Sequence, residues 1–105
     1  MEHNYKVYVH ANKTNGKRYV GITRTSLQKR WKGGTAYKGS PHFYSSIKKY
    51  GWNGFTHYIL ADGLTKEEAL QMEQEYIARY KTQDRRYGYN ATSGGEHFNH
   101  SEESK

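Results

Sequence analysis

The 105 residues contain no cysteine, which excludes disulfides and thiolate metal sites. No apolar run approaches the length that spans a bilayer, and nothing resembles a signal peptide. The sequence therefore reads as that of a cytoplasmic protein with no membrane partner. Hydrophobic residues make up only 33%, below the globular norm. A core must draw on the aromatics, which are 15% of the chain and include eleven tyrosines. Tyrosine can bury its ring while its hydroxyl stays wet. The length suits one domain with a modest core.

Acidic residues are missing from a long stretch. Between His3 and Ala61 there is no Asp or Glu, yet the span holds Lys6, Lys13, Lys17, Arg18, Arg24, Lys29, Arg30, Lys32, Lys38, Lys48 and Lys49. The net charge of +7 is thus concentrated in one half. An acid-free half of this kind is an electrostatic footprint for a polyanion. Tyrosines and tryptophans interleave with the cations, which favours nucleic acid over a surface that merely keeps the protein in solution.

Two strand-like runs open the chain, Lys6-Val-Tyr-Val-His-Ala11 and Arg18-Tyr-Val-Gly-Ile-Thr23. Asn15-Gly16 between them is a strong two-residue hairpin signal. In that register position i pairs with 31 − i. Tyr8 then shares a face with His10, Asn12, Tyr19, Gly21 and Thr23, while Val7, Val9, Ala11, Val20 and Ile22 line the other. One face reads as core and the other as polar, tyrosine-bearing and open to a ligand. Tyr8 and Tyr19 come out four residues apart along the strand, about 13 Å.

Thr25-Ser-Leu-Gln28 fits a capping box with Thr25 as N-cap, opening a short helix to about Lys32. A loop runs from Gly33-Gly34 to Pro41. A second helix is expected over about 42–50, with Phe43, Ile47 and Tyr50 on one side and Gly51 as its stop. Phe55 to Leu60 reads as a third strand. Thr65-Lys-Glu-Glu68 is another capping box, opening the longest helix to about Tyr80. The segment 87–95 is turn-rich. The fold class is therefore α/β (α+β), in the order ββααβα, with a small three-stranded antiparallel-type sheet flanked by helices. The domain is expected over 1–96, and the tail 97–105 is expected to be disordered.

The longest helix places Glu73 among Ala69, Leu70 and Ile77, in the middle of its inward face. A buried carboxylate needs a cation. Either a structural Arg or Lys, or a divalent metal such as Mg²⁺ or Mn²⁺, would serve. Arg30 lies three residues from the apolar Leu27 and borders the inward side, where a guanidinium can grip a phosphate bidentately. Lys29 and Lys32 read as a solvated face. Asn90 stands in a turn-like segment, where Asn is more often a turn residue than a ligand. His10 and His42 are candidate accessory proton carriers, and the six histidines show no metal-ligand spacing.

Taken together, these residues resemble the GIY-YIG nuclease domain. Val7-Tyr8 stands for its Ile-Tyr and Tyr19-Val-Gly21 for its Tyr-Ile-Gly. Arg30-Trp31 matches the arginine of the following helix, Glu73 the helix glutamate, and Gly88-Tyr-Asn90 with Thr92-Ser-Gly-Gly95 the closing Asn motif. Lys6 replaces the first glycine. The resemblance covers residues 5–95. It implies metal-dependent endonucleolytic hydrolysis of phosphodiesters in DNA, double- or single-stranded, using one Mg²⁺ or Mn²⁺. Tyr8 would help deprotonate the attacking water, which needs its pKa lowered by about 3 units; Lys17, Arg18 and Arg30 are candidates to do so. Tyr19 would position the water or phosphate, Arg30 would stabilise charge on phosphorus, Glu73 would hold the ion, and Asn90 would orient the phosphate or brace the site. Lys17, Arg18, Lys29, Lys32, Lys48 and Lys49 would bind the backbone without reading sequence. Little intrinsic sequence recognition is expected, with specificity coming from a homodimer or a partner protein. The alternative is a nucleic-acid-binding module of the same fold that does not cleave.

Overall fold

The computed structural model describes residues 4–90. Three strands form one antiparallel sheet: β1 (Tyr5–Asn12), β2 (Arg18–Thr23) and β3 (Phe55–Leu64), in spatial order β2-β1-β3. The helices are α1 (Leu27–Trp31), α2 (Pro41–Tyr50) and α3 (Lys66–Tyr80), with 3-10 turns at Lys32–Tyr37 and Trp52–Gly54. Among the described residues, no helix is long and apolar enough to cross a membrane. The three-stranded antiparallel sheet flanked by helices, in the order ββααβα, is the one expected. The expected tail 97–105 and the motif Thr92 to Gly95 lie outside the described residues.

The hairpin register differs from the simple turn. β1 and β2 pair so that positions sum to 29: Tyr8 faces Gly21, Val9 faces Val20 and His10 faces Tyr19. The cause is Asn12. Its side-chain oxygen accepts from the Thr14 and Asn15 amides at 2.8 and 3.3 Å, an Asx turn. The Asn12 amide donates to the Lys17 carbonyl, which closes a four-residue loop over 13–16. A shift of two residues preserves which side chains share a face. It halves the separation of Tyr8 and Tyr19 along the sheet to about 7 Å.

α1 starts one residue later than its capping box suggests. Thr23 takes the Thr25 amide at 3.1 Å, so Ser26 becomes the N-cap and accepts from the Lys29 amide at 3.3 Å. The capping box at Thr65 and Glu68 does form. β3 runs four residues beyond Leu60, with register shifts opposite Tyr5–Tyr8.

Both faces of the sheet are covered. Val7, Val9, Val20 and Ile22 pack on Ala69 and Ile77 of α3. The tyrosine-bearing face, expected to be open, instead lies beneath α1, the first 3-10 turn and α2. Tyr8 and His10 are 0% exposed and Asn12 is 2% exposed. A second cluster of Tyr37, Phe43, Ile47, Phe55 and Tyr89 roofs it. With so few aliphatic residues available, the chain builds this second layer from aromatic rings packed edge-to-face and stacked, such as Tyr19 on Phe43 at 4.7 Å.

The free edge of β2 is closed by the end of the described chain. Arg18 and Gly88 form a parallel bridge. A Cβ on Gly88 would collide with the backbone of Thr82 and with the Arg18 carbonyl, so only glycine permits this approach. Beyond the bridge, the Asn90 side chain takes over the ladder. Its oxygen accepts from the Val20 amide and its nitrogen donates to the Val20 carbonyl, both at 2.9 Å.

Candidate active site

Tyr8 points from the central strand across β2. It can do so because Gly21 lies beneath it: a Cβ there would stand 2.5 Å from the Tyr8 hydroxyl. The hydroxyl lies 3.3 Å from that of Tyr37, on the 3-10 turn. Arg30, half-buried on α1, acts on the hydroxyls of Tyr8, Tyr19 and Tyr37 and has its guanidinium over the Tyr37 ring at 5.5 Å. Glu73, 3% exposed, is close enough for its charge to act on both Tyr8 and Tyr19. Four elements thus bring Tyr8, Tyr19, Arg30 and Glu73 into one electrostatic neighbourhood.

The electrostatics run against a simple phenolate. Burial pushes the Tyr8 hydroxyl above the usual tyrosine value, and the charge of Glu73 adds to this; Arg30 and the Tyr37 hydrogen bond oppose it without winning. Tyr19 and Tyr37 are raised by burial in the same way. The lowering expected from cations therefore comes from Arg30 and is outweighed. Neither Lys17 nor Arg18 is among the leading influences on Tyr8.

Arg30 also opens onto a cleft of about 530 Å³ lined by Thr23, Arg24, Thr25 and Lys66. A phosphate there would meet Arg30 together with the cations Arg24 and Lys66. Among the described residues no group of three His, Cys, Asp or Glu gathers. Glu73 is the carboxylate in this neighbourhood. A hard oxygen donor fits Mg²⁺ or Mn²⁺, and Mg²⁺ commonly keeps several waters beside one or two carboxylates and substrate phosphates.

The remaining expected residues fall into distinct places. Asn90 uses its amide to hold Val20 and so braces the strand that carries Tyr19 and Gly21. Lys17, Lys49 and His42 line one groove beside Asn15 and Tyr89. Lys29, Lys32 and Lys48 are exposed. Arg18 is drawn away, with its guanidinium over Tyr80 of α3 at 4.2 Å. His10 is not at a surface: its Nε2 meets the Tyr37 hydroxyl at 2.8 Å and its Nδ1 meets Nδ1 of His57 at 2.9 Å. Burial and the charges of His57 and Arg30 depress its pKa to about 2.

Sequence reasoning missed Tyr37 and His57. Tyr37 sits in a glycine-rich stretch with no periodicity to mark it. His57 was legible as a strand residue, but only the β1–β3 register, which pairs His10 with His57, gives it meaning.

Known proteins resemble this chain in sequence and fold. The model of the GIY-YIG catalytic domain matches residues 4–90. A phage T4 protein described as putative endonuclease segE is 37% identical over 90 residues, covering 85% of this chain and 41% of that protein. The chain thus spans about two fifths of the length of that relative. The catalytic domain of the intron endonuclease I-TevI, solved in mutant form, superposes with a TM-score of 0.71 at 27% identity, over 87% of this chain and 96% of that one.

Proposed function

Since the chain belongs to the GIY-YIG catalytic-domain family, a family of nucleases, we propose that it is a metal-dependent endonuclease hydrolysing phosphodiester bonds in DNA with little sequence recognition of its own. The observation that carries this reading is the convergence of Tyr8, Tyr19, Arg30 and Glu73, from β1, β2, α1 and α3, beside a cleft lined by cations.

In this reading the phosphate enters the cleft and is gripped by Arg30, whose fork can take two of its oxygens. The same guanidinium, already fixed against the Tyr37 ring, stabilises the charge that builds on phosphorus. Tyr8, as the phenolate formed once its own hydroxyl proton has been lost to solvent, takes the proton of the attacking water. Tyr19, packed between Phe43 and Tyr37, holds a fixed hydroxyl beside it and orients that water or the phosphate. Glu73 would hold one Mg²⁺ or Mn²⁺, which when bound would polarise the phosphate and the leaving oxygen. Asn90 acts through β2, by holding Tyr19 and Gly21 in place. Exposed Lys29, Lys32, Lys48 and Lys49, with Lys17, supply backbone attraction that carries no sequence information.

The test is cleavage of plasmid and of matched single- and double-stranded oligonucleotides, with Mg²⁺, Mn²⁺ or chelator. Wild type should nick or cut DNA only with the metal. Glu73→Ala should lose about 100-fold or more in rate while still binding DNA. A wild type that binds DNA but is inert on every substrate would instead be a non-cleaving binding module.

A further inference from the structure

The cleft beside Arg30 carries more positive charge than one phosphate can use. Its volume is about 530 Å³, and Arg24 and Lys66 line it together with Arg30. No Asp or Glu is among its lining residues. Two of the acids flanking Lys66 in sequence are engaged elsewhere: Asp62 pairs with Lys6 at 3.8 Å, and Glu68 accepts from the Thr65 amide at 2.9 Å. A phosphodiester carries a single negative charge, which the Arg30 fork alone matches. Two further cations on the walls of one cleft therefore call for a second anion. A space of this size falls within the range of about 300–1,000 Å³ that takes a ligand much larger than one phosphate.

The three cations stand on separate supports. Arg24 lies in the turn after β2, which Thr23 holds by accepting from the Thr25 amide at 3.1 Å. It is exposed, and among the described residues no ion pair ties it down. Lys66 opens α3, in the turn that the capping box of Thr65 and Glu68 fixes. Arg30 comes from α1 and is already engaged with the tyrosines. Tyr5 and Ile22 add apolar surface to the same cleft. Cations beside apolar surface match a nucleotide strand, whose charged phosphates are separated by deoxyribose. A loose inorganic anion would have no use for the apolar part.

Resting on the nuclease reading above, we infer that Arg24 and Lys66 form a second phosphate seat, which holds a phosphodiester next to the one gripped by Arg30. The cleft then takes two consecutive phosphates of one DNA strand, with the deoxyribose between them against Tyr5 and Ile22. Arg24 can fork onto two oxygens of its phosphate, while Lys66 acts as a point charge. Neither touches the reacting atoms. Seating the neighbouring phosphate fixes how the scissile one is presented to Tyr8 and Glu73, which is a matter of orientation. The seat reads no base, so it aligns the strand whatever its sequence. It lies to one side of Arg30, so it engages the phosphate on one side of the scissile bond and not the other.

Two measurements test this. The first needs no activity. In chelator and low salt, the trinucleotide TpTpT, with two phosphodiesters, should bind wild type about 10-fold more tightly than the dinucleotide TpT. The double variant Arg24→Gln, Lys66→Gln should bind the two nearly alike. Both residues are exposed, so the fold should be kept, which circular dichroism checks. Equal affinity of wild type for the two ligands, or a preference that survives in the double variant, would overturn the seat. The second is end-mapped cleavage of oligonucleotides carrying one uncharged methylphosphonate linkage. Wild type should cut the bond on one side of that linkage about 10-fold less than the same bond in an unmodified strand. The double variant should cut both strands equally. Full-rate cutting beside the methylphosphonate by wild type, or continued sparing by the double variant, would sink the seat while leaving the nuclease reading standing. A wild type inert on every DNA would end the nuclease reading, and the trinucleotide comparison would still decide the seat.

Discussion

His10 is a residue whose chemistry its surroundings change strongly. In the unfolded chain it titrates near 6.5; in the folded protein its pKa is about 2. The depressed value sets the sign. As the pH falls through 6.5 the unfolded chain takes up a proton that the folded chain refuses, so stability is full above that pH and drains away below it. The loss approaches about 1.4 kcal/mol per pH unit from His10 alone. His57 and His42 are shifted in the same direction and add to it. Urea unfolding at pH 7, 6, 5.5 and 5 should show this slope before the carboxylates begin to titrate. A flat profile over that range would mean that His10 is charged in the folded state.

Among the elements, β2 has the most demanding position. It carries Tyr19 and Gly21, lies at the edge of the sheet, and is held on its outer side by Asn90. Asn90→Ala leaves the Val20 amide and carbonyl without their partners and should cost about 1–3 kcal/mol in urea unfolding. Asn90→Asp keeps the shape but cannot donate to the Val20 carbonyl, so it should be no rescue. An alanine variant as stable as wild type would show that the edge holds without this brace. The elements themselves were legible because each has a local cause: alternation in β1 and β2, capping at Thr65, and the inward stripe of α3 that exposed Glu73 as an anomaly. What was not legible depended on groups far apart in sequence. The hairpin register turned on one Asn12 side chain competing with the Asn-Gly signal. The burial of the tyrosine face turned on a roof assembled from residues 31 to 55 and Tyr89, where rings replace the aliphatic pattern that periodicity detects.

Across the whole molecule, cations and aromatics divide the work. The rings fill the interior on one side of the sheet, while most of the lysines remain outside. Binding to DNA should therefore be strongly salt-dependent, the affinity falling with a log–log slope of about −0.9 for each phosphate neutralised. Replacing Lys17 and Lys49 together by Gln should reduce that slope by about 2, because the two share one groove. Arg18→Gln should change the slope little, since its guanidinium is spent on Tyr80. An equal effect from Arg18 would place the DNA across α3 instead.

The chain has two tryptophans, and each stands against one histidine of the buried His10 and half-buried His57 pair. Trp31 meets the His10 ring edge-on at 4.7 Å, and Trp52 stacks on His57 at 4.1 Å. An imidazolium quenches a neighbouring excited indole far more than a neutral imidazole does. The protein thus carries its own optical reporter. Its ultraviolet emission comes from beside the His10–His57 pair, and can be followed in real time without attaching a dye.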